Sequence, residues 1–279
     1  MARCPAHDDH APSLSLDESS DGKVLVRCHA GCSQQDVVDA LKARGLWPGA
    51  FRRPLTRVWT PPRRPTEREH RSSQTRIAAA MSIWDQTEPA SGTLVETYLR
   101  NRGIELAPPR VLAYQRCLKH PTGGVWPGMV ALVTRGPDNE PLGIHRTFLT
   151  TDCRAKAAVS PQKMMLGPCR GGAVRLAEAT DFVMVGEGIE TCLAVMQATG
   201  LPAWAALSTA GLRSLDLPES VRDVVVLADA DPSGEAAALQ AGRRWRREGR
   251  GVRVARPSRG LDFNDVLLGH SPPHAEVGA

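Results

Sequence analysis

Val183-Met184-Val185-Gly186-Glu187-Gly188 and Leu227-Ala228-Asp229-Ala230-Asp231-Pro232-Ser233-Gly234, whose Asp229 stands 42 positions after Glu187, decide the fold of this 279-residue chain. Each is an apolar run that stops abruptly in acid and glycine. A short continuous apolar run predicts a strand buried on both faces, the habit of parallel sheets. Acids placed where such strands end fall at the carboxyl edge of the sheet, where open α/β folds keep their sites. Alternation along a strand predicts that Asp229 and Asp231 point the same way, with Ala230 pointing back. Three acids at one edge repel each other unless a positive charge sits among them, and a hard divalent cation with oxygen ligands suits them. An ordinary doubly wound domain with acidic strand ends accounts for one such cluster as readily. Both together, in this order, favour a shared site.

The surrounding pattern extends the reading. Residues 189–199 predict a helix, 203–208 a second strand and 224–228 a third, then a helix after Gly234 and a fourth strand at 252–255. Pro232 suits a helix start, because its missing donor and fixed φ cost nothing there.

This arrangement resembles the Toprim domain, the metal-binding module shared by bacterial primases, topoisomerases and some nucleases. Glu187-Gly188 matches its glutamate motif, and Asp229–Gly234 its DxDxxG motif. The resemblance implies Glu187, Asp229 and Asp231 as catalytic residues, and with Asp262 as ligands of magnesium or manganese. Glu187 as a proton acceptor is the other role open to it.

At the amino terminus, Cys4-Pro5-Ala6-His7 and Cys28-His29-Ala30-Gly31-Cys32 look like two ligand pairs around a strand-turn-strand segment, with strands at 13–16 and 24–27 and a turn at 17–22. Thiolate and imidazole at such spacings suit one tetrahedral zinc ion, whose binding would stabilise a piece too small to build much core. The segment resembles the zinc-binding domain of bacterial and phage primases, with Cys4, Pro5, His7, Pro12 and Ser13 matching its opening. The closing pair is C-x3-C, as in phage-type relatives, so Cys28 is the preferred fourth ligand and His29 the competitor. His10, Cys117, Cys153, Cys169 and Cys192 lack partners at ligand spacing and read as ordinary residues.

Between the two ends, 49–76 reads as a Pro/Arg-rich linker, with helices at 77–84 and at 94–102, the latter closed by Gly103. Strands follow at 129–134 and 142–148 around a Gly136-Pro137-Asp138-Asn139 turn. Tyr98-Leu99-Arg100-Asn101-Arg102-Gly103 resembles the Y-L-x-x-R-G segment of the primase core. His145-Arg146, Lys156 and Lys163 resemble its basic strip, which implies Arg146, Lys156 and Lys163 as nucleotide- or nucleic-acid-binding residues; taken singly each also reads as a surface residue. Asp262 and Asp265 resemble the core's last acidic motif, where Asn264 replaces the usual aspartate. Near the first motif the family's extra aspartate is missing, and Glu190 and Thr191 occupy that neighbourhood.

Composition sets outer limits. The chain carries 35 Lys and Arg against 30 Asp and Glu, a net +5, with eight arginines between Arg243 and Arg259. That cluster fits either a polyphosphate partner or a solvated helix face. No apolar run of about 18 residues exists, which argues against a membrane span. Seven irregularly spaced cysteines and the lack of a signal peptide point to a reducing cytoplasm. No phosphate-binding G-x4-G-K-[ST] loop occurs, so no helicase module is fused here.

The expected architecture is therefore α/β: a zinc ribbon at 1–48, the linker at 49–76, a mixed α/β segment of the primase core at 77–174, and a Toprim domain, a mostly parallel sheet with flanking helices, at 175–279. The resemblance implies a DNA primase of phage or mobile-element type, with single-stranded DNA template and ribonucleoside triphosphates as partners and a separate replicative helicase. A non-catalytic zinc/Toprim recombination mediator and a Toprim nuclease are the alternatives.

Overall fold

The computed structural model describes residues 2–18, 24–47, 66–152, 154–257 and 261–270. The linker up to 65, residues 19–23 of the first turn, Cys153 and Arg259 lie outside the described residues. The chain divides into two units, Met1–Arg64 and Pro65–Ala279.

The first unit is a hairpin of β1 (Leu14–Glu18) and β2 (Val24–Cys28), followed by α1 (Gln34–Ala43). Directly opposed residues share a face, so the Leu14–Cys28 and Leu16–Val26 pairs put Leu14, Val26 and Cys28 on one side. Ser33 caps α1 by accepting from the Asp36 amide, and Val37 then packs on that side.

The second unit opens with α2 (Glu67–Trp84), which begins ten residues before the helix expected at 77. A capping box between Thr66 and Glu69 starts it. The hydrophobic pattern misses this half because its side chains face water. Then come β3 (Glu88–Pro89), α3 (Leu94–Asn101), β4 (Leu112–Lys119), β5 (Val125–Arg135), β6 (Glu140–Phe148) and β7 (Lys163–Leu166), with the strands in sequential antiparallel order. α2 covers one face of this sheet through Ala80, against Val130, Ile144 and Phe148. The opposite face, with Met129, Ala131 and Val133, shares a core with the rest of the unit.

That remainder comprises β8 (Val174–Arg175), β9 (Phe182–Gly186), α4 (Ile189–Thr199), β10 (Ala203–Ala205), α5 (Thr209–Ser214), β11 (Asp223–Leu227), α6 (Pro232–Arg247), β12 (Gly251–Ala255) and α7 (Phe263–Leu267). The sheet order is β12-β11-β9-β10-β8; the first four strands are parallel and β8 is an antiparallel edge. Val183, Val185, Val224 and Val226 face α6, packing on Ala237, Ala241 and Trp245. Met184, Ala203 and Ala205 face the other way, against Cys192 and Leu193 of α4. Both faces are covered, as the unbroken apolar runs predict, and the expected mixed α/β fold with a largely parallel sheet is the one observed.

β10 is shorter than the expected strand at 203–208, because Leu207 adopts a left-handed backbone with φ of 70°. No helix among the described residues is long and apolar enough to cross a membrane.

Candidate functional site

Parallel β9 and β11 lie side by side and end level, so the residues after them meet at one edge of the sheet. Glu187 directly follows β9. Asp229 and Asp231 do not extend β11 as alternation predicts: the strand stops at Leu227, and both acids sit in the turn leading into α6. Their roles separate there. Asp231 is the helix cap, its Oδ1 accepting from the Ser233 amide at 2.8 Å, the Ser233 hydroxyl at 2.7 Å and the Gly234 amide at 3.0 Å. Those donors, the Gly234 amide first, hold its carboxyl below the ordinary range. Burial pushes the Asp229 carboxyl up, and the charges of Asp231 and Asp262 push it further. Glu187 is raised by burial and then by Asp229 and Asp231. Lys163 counteracts both rises, and the Thr209 amide also lowers Glu187. That amide is brought round by the left-handed turn at Leu207, whose N–H donates to the Glu187 carbonyl at 2.9 Å.

The glycine of the second motif has a steric reason. A Cβ on Gly234 would lie 3.0 Å from the Asp229 Cβ and 3.2 Å from its carbonyl oxygen. In an open helix, Gly→Ala gains about 1 kcal/mol. Here overpacking against backbone costs about 1–3 kcal/mol. Gly234→Ala is therefore expected to lower the melting temperature and displace Asp229; a higher melting temperature would mean that the contact is slack.

A cleft of about 620 Å³ gathers Glu187, Asp229, Asp231, Asp262 and Asp265 with Arg102, His145, Lys156, Lys163 and Glu190. Asp262 caps α7, its Oδ1 accepting from the Asp265 amide at 2.7 Å. Glu187 and Asp229, each raised in part by neighbouring carboxylates, offer with Asp231 and Asp262 only oxygen donors, which suit a hard divalent cation. Among the described residues their oxygens do not draw together as closely as the zinc-type set below, the only group with ligand atoms all within 4.8 Å of one another. Arg146 lies outside the cleft. It shares a face of β6 with Ile144 and Phe148, is 8% exposed, and has its guanidinium 5.9 Å from the Phe148 ring centre. Its neighbour His145 faces the acids instead, with burial and then Lys163 pushing its pKa down to about 4.

Sequence reading missed Glu190 as a partner of the lysines. Its carboxylate accepts from Lys163 Nζ at 3.1 Å and from the Tyr98 hydroxyl at 2.8 Å. The Y-L-x-x-R-G resemblance flagged Tyr98 and Arg102 as a segment but not by role. The arginine cluster also reads differently in three dimensions. Arg250 donates to the carbonyls of Leu217, Pro218 and Val221, Arg246 to that of Val252, and Arg244 to that of Leu215, while Arg256 pairs with Glu235. These four arginines clamp α6 and its neighbours, so much of the cluster's charge is engaged within the fold.

In the first unit, the ligand atoms of Cys4, His7, Cys28 and Cys32 all lie within 4.8 Å of one another. His7 Nδ1 is 3.2 Å from Cys32 Sγ and 3.9 Å from Cys28 Sγ. Three thiols and an imidazole at such distances fit one tetrahedral zinc. His29 is exposed, its ring 3.2 Å from the Ser15 hydroxyl, and Gly31, at φ of 100°, makes the turn that brings Cys28 and Cys32 together. Asp9, also missed in the sequence, braces this set. Its Oδ2 accepts from the Cys4 amide at 2.5 Å and the Ser13 hydroxyl at 2.7 Å, while Oδ1 stands 3.6 Å from His7 Nε2. The Cys4 amide first, then Ser13, hold its pKa at about 2. A carboxylate behind a ligating imidazole fixes its tautomer, and removing one typically costs about 10–100-fold in metal affinity. Asp9→Asn is expected to show that loss in a zinc competition titration.

Residues 182–272 match the Toprim domain family, and residues 74–176 match a domain of unknown function, DUF7146. No curated protein sequence matches the chain. It is similar to the zinc-binding and RNA polymerase domains of Aquifex aeolicus primase, with TM-score 0.50, 15% identity, and coverage of 96% of this chain and 75% of that one. A DNA primase domain from Pseudomonas aeruginosa is similar with TM-score 0.46 and 16% identity over 71% of this chain and 74% of that one. The chain contains a Toprim domain, and it shares the fold of bacterial primase domains.

Proposed function

We propose that this protein is a DNA primase of phage or mobile-element type, synthesising short RNA primers on single-stranded DNA in the cytoplasm, alongside a separate replicative helicase. The observation that carries the reading is a single cleft lined both by Glu187, Asp229, Asp231 and Asp262 and by Lys156, Lys163, Arg102 and His145. Glu187, Asp229, Asp231 and Asp262 would hold one or two magnesium or manganese ions. Such a metal, when bound, lowers the pKa of an attacking 3′-hydroxyl and neutralises charge on departing pyrophosphate. The chain's own part is to orient and to balance charge. Asp231 is locked by its cap, which fixes the turn carrying Asp229. Lys163, Lys156 and Arg102 offer donors to the triphosphate of an incoming ribonucleotide. A structural zinc at Cys4, His7, Cys28 and Cys32 would rigidify the first unit for gripping template DNA.

The test is incubation with single-stranded DNA, magnesium and labelled ribonucleotides. Template-dependent oligoribonucleotides are the expected product. Cleaved DNA would instead identify a nuclease, and tight binding without turnover a recombination mediator.

A further inference from the structure

The reaction proposed above gives Glu190 no task, although it stands three residues after Glu187 on the first turn of α4 and is only 5% exposed. Proximity to the acidic set alone would make this carboxylate one more metal ligand. Its bonds say otherwise. Oε2 takes Lys163 Nζ at 3.1 Å, while Oε1 takes the Tyr98 hydroxyl at 2.8 Å and lies 3.8 Å from Lys156 Nζ. Both oxygens are thus committed to donors arriving from α3, from the start of β7 and from the segment between β6 and β7. Burial alone would raise this carboxyl, yet Lys163, then Lys156, hold it at about 2.

The same geometry fixes the lysines. An ammonium has three donors, and Glu190 occupies one of those on Lys163. Lys163 also lowers Glu187 and Asp229 electrostatically, and it lines the same cleft as both. Both ammonium groups reach Glu190, Lys163 at 3.1 Å and Lys156 at 3.8 Å, so one buried carboxylate offsets their mutual repulsion.

We propose that Glu190 is a positioning residue: with Tyr98 it holds Lys163 and Lys156 beside the acidic set, where they receive the phosphates of a nucleoside triphosphate. This rests on the reading of the cleft as a nucleotidyl-transfer site and deepens it.

The test uses the full chain with zinc and magnesium present, and inorganic tripolyphosphate as the calorimetric probe. Glu190→Gln keeps the shape and removes the charge; it is expected to weaken binding about tenfold, the loss of one charge-assisted contact. In a Lys163→Met background the same substitution should cost clearly less, because only the share acting through Lys156 remains. Wild-type affinity in Glu190→Gln, an equal loss in both backgrounds, or no binding by the wild type would each overturn the inference. Should Glu190→Gln fail to fold, Tyr98→Phe removes one of the carboxylate's hydrogen bonds and keeps the ring in the core. A weakening of about threefold is then expected, and unchanged binding refutes the idea. Binding coupled in this way without primer synthesis would sink the primase reading alone; primer synthesis with uncoupled binding would sink only the role of Glu190.

Discussion

Replacing Asp229 by asparagine is expected to reduce primer synthesis by at least about 10²-fold, the usual scale for losing one preorganised charge-stabilising group, while making the magnesium-free protein more stable. Both halves follow from one observation. The Asp229 carboxyl is half-buried and raised from its ordinary 3.8 by burial, then by Asp231 and Asp262, so its ionised form is disfavoured in the fold. A group raised in the native state binds protons more readily folded than unfolded. Its contribution therefore becomes more favourable to folding as pH falls from neutrality through the raised value towards 3.8. Glu187, raised from 4.5, acts in the same window. Below it the sign reverses, because Asp9 and Glu190, both held near 2, lose their stabilising ionised forms. The melting temperature without added magnesium should thus rise on mild acidification and fall on strong acidification. Asp229→Asn should flatten the rise, and added magnesium should abolish its advantage over wild type. A wild-type rate of primer synthesis in Asp229→Asn would remove Asp229 from the reaction.

Such a gain in stability from a loss of function is what a site built on repulsion implies. It also shows what could be read before any coordinates. Local signals were sufficient for the parallel sheet: runs such as 183–186 and 224–227 are apolar on both faces, as strands covered on either side require. They also place Glu187, Asp229 and Asp231 at the edge of the sheet, because strand ends mark that edge. The polar first half of α2 escaped, since its evidence is a cap, Thr66 with Glu69, rather than a hydrophobic stripe. Orientation beyond the end of a strand escaped too. Asp229 and Asp231 were aligned by a period of two that had already stopped at Leu227. Glu190 escaped for a third reason. It works through donors from distant segments, Tyr98 being 92 positions from it. Nothing in the spacing of a single chain encodes a bond of that range. On β6, the pairing register decides that His145 rather than Arg146 faces the cleft, and a two-residue reading cannot choose between neighbours on opposite faces.

Removing zinc should unfold the first unit and leave the second nearly unchanged. Among the described residues, the buried core of the first unit consists of Cys4, Leu14, Val26, Cys28 and Val37, and two of those five belong to the ligand set. The three aliphatic side chains left over contribute about 1.5–3 kcal/mol each. A structural zinc contributes about 10–16 kcal/mol in small domains at neutral pH. The metal is thus the larger part of what opposes the entropy of ordering that segment. The second unit has its own core of large buried side chains, including Tyr98, Phe148, Trp204 and Trp245. Cys32→Ala should therefore contain about one zinc fewer per chain, and limited proteolysis should digest its first unit while the segment from Pro65 onward survives. His29→Ala should keep its zinc, since that ring lies against Ser15, whereas Cys28→Ala should lose it. Equal zinc in wild type and Cys32→Ala, or a first unit that resists protease after the metal is stripped, would show that the hairpin and α1 stand without the ion.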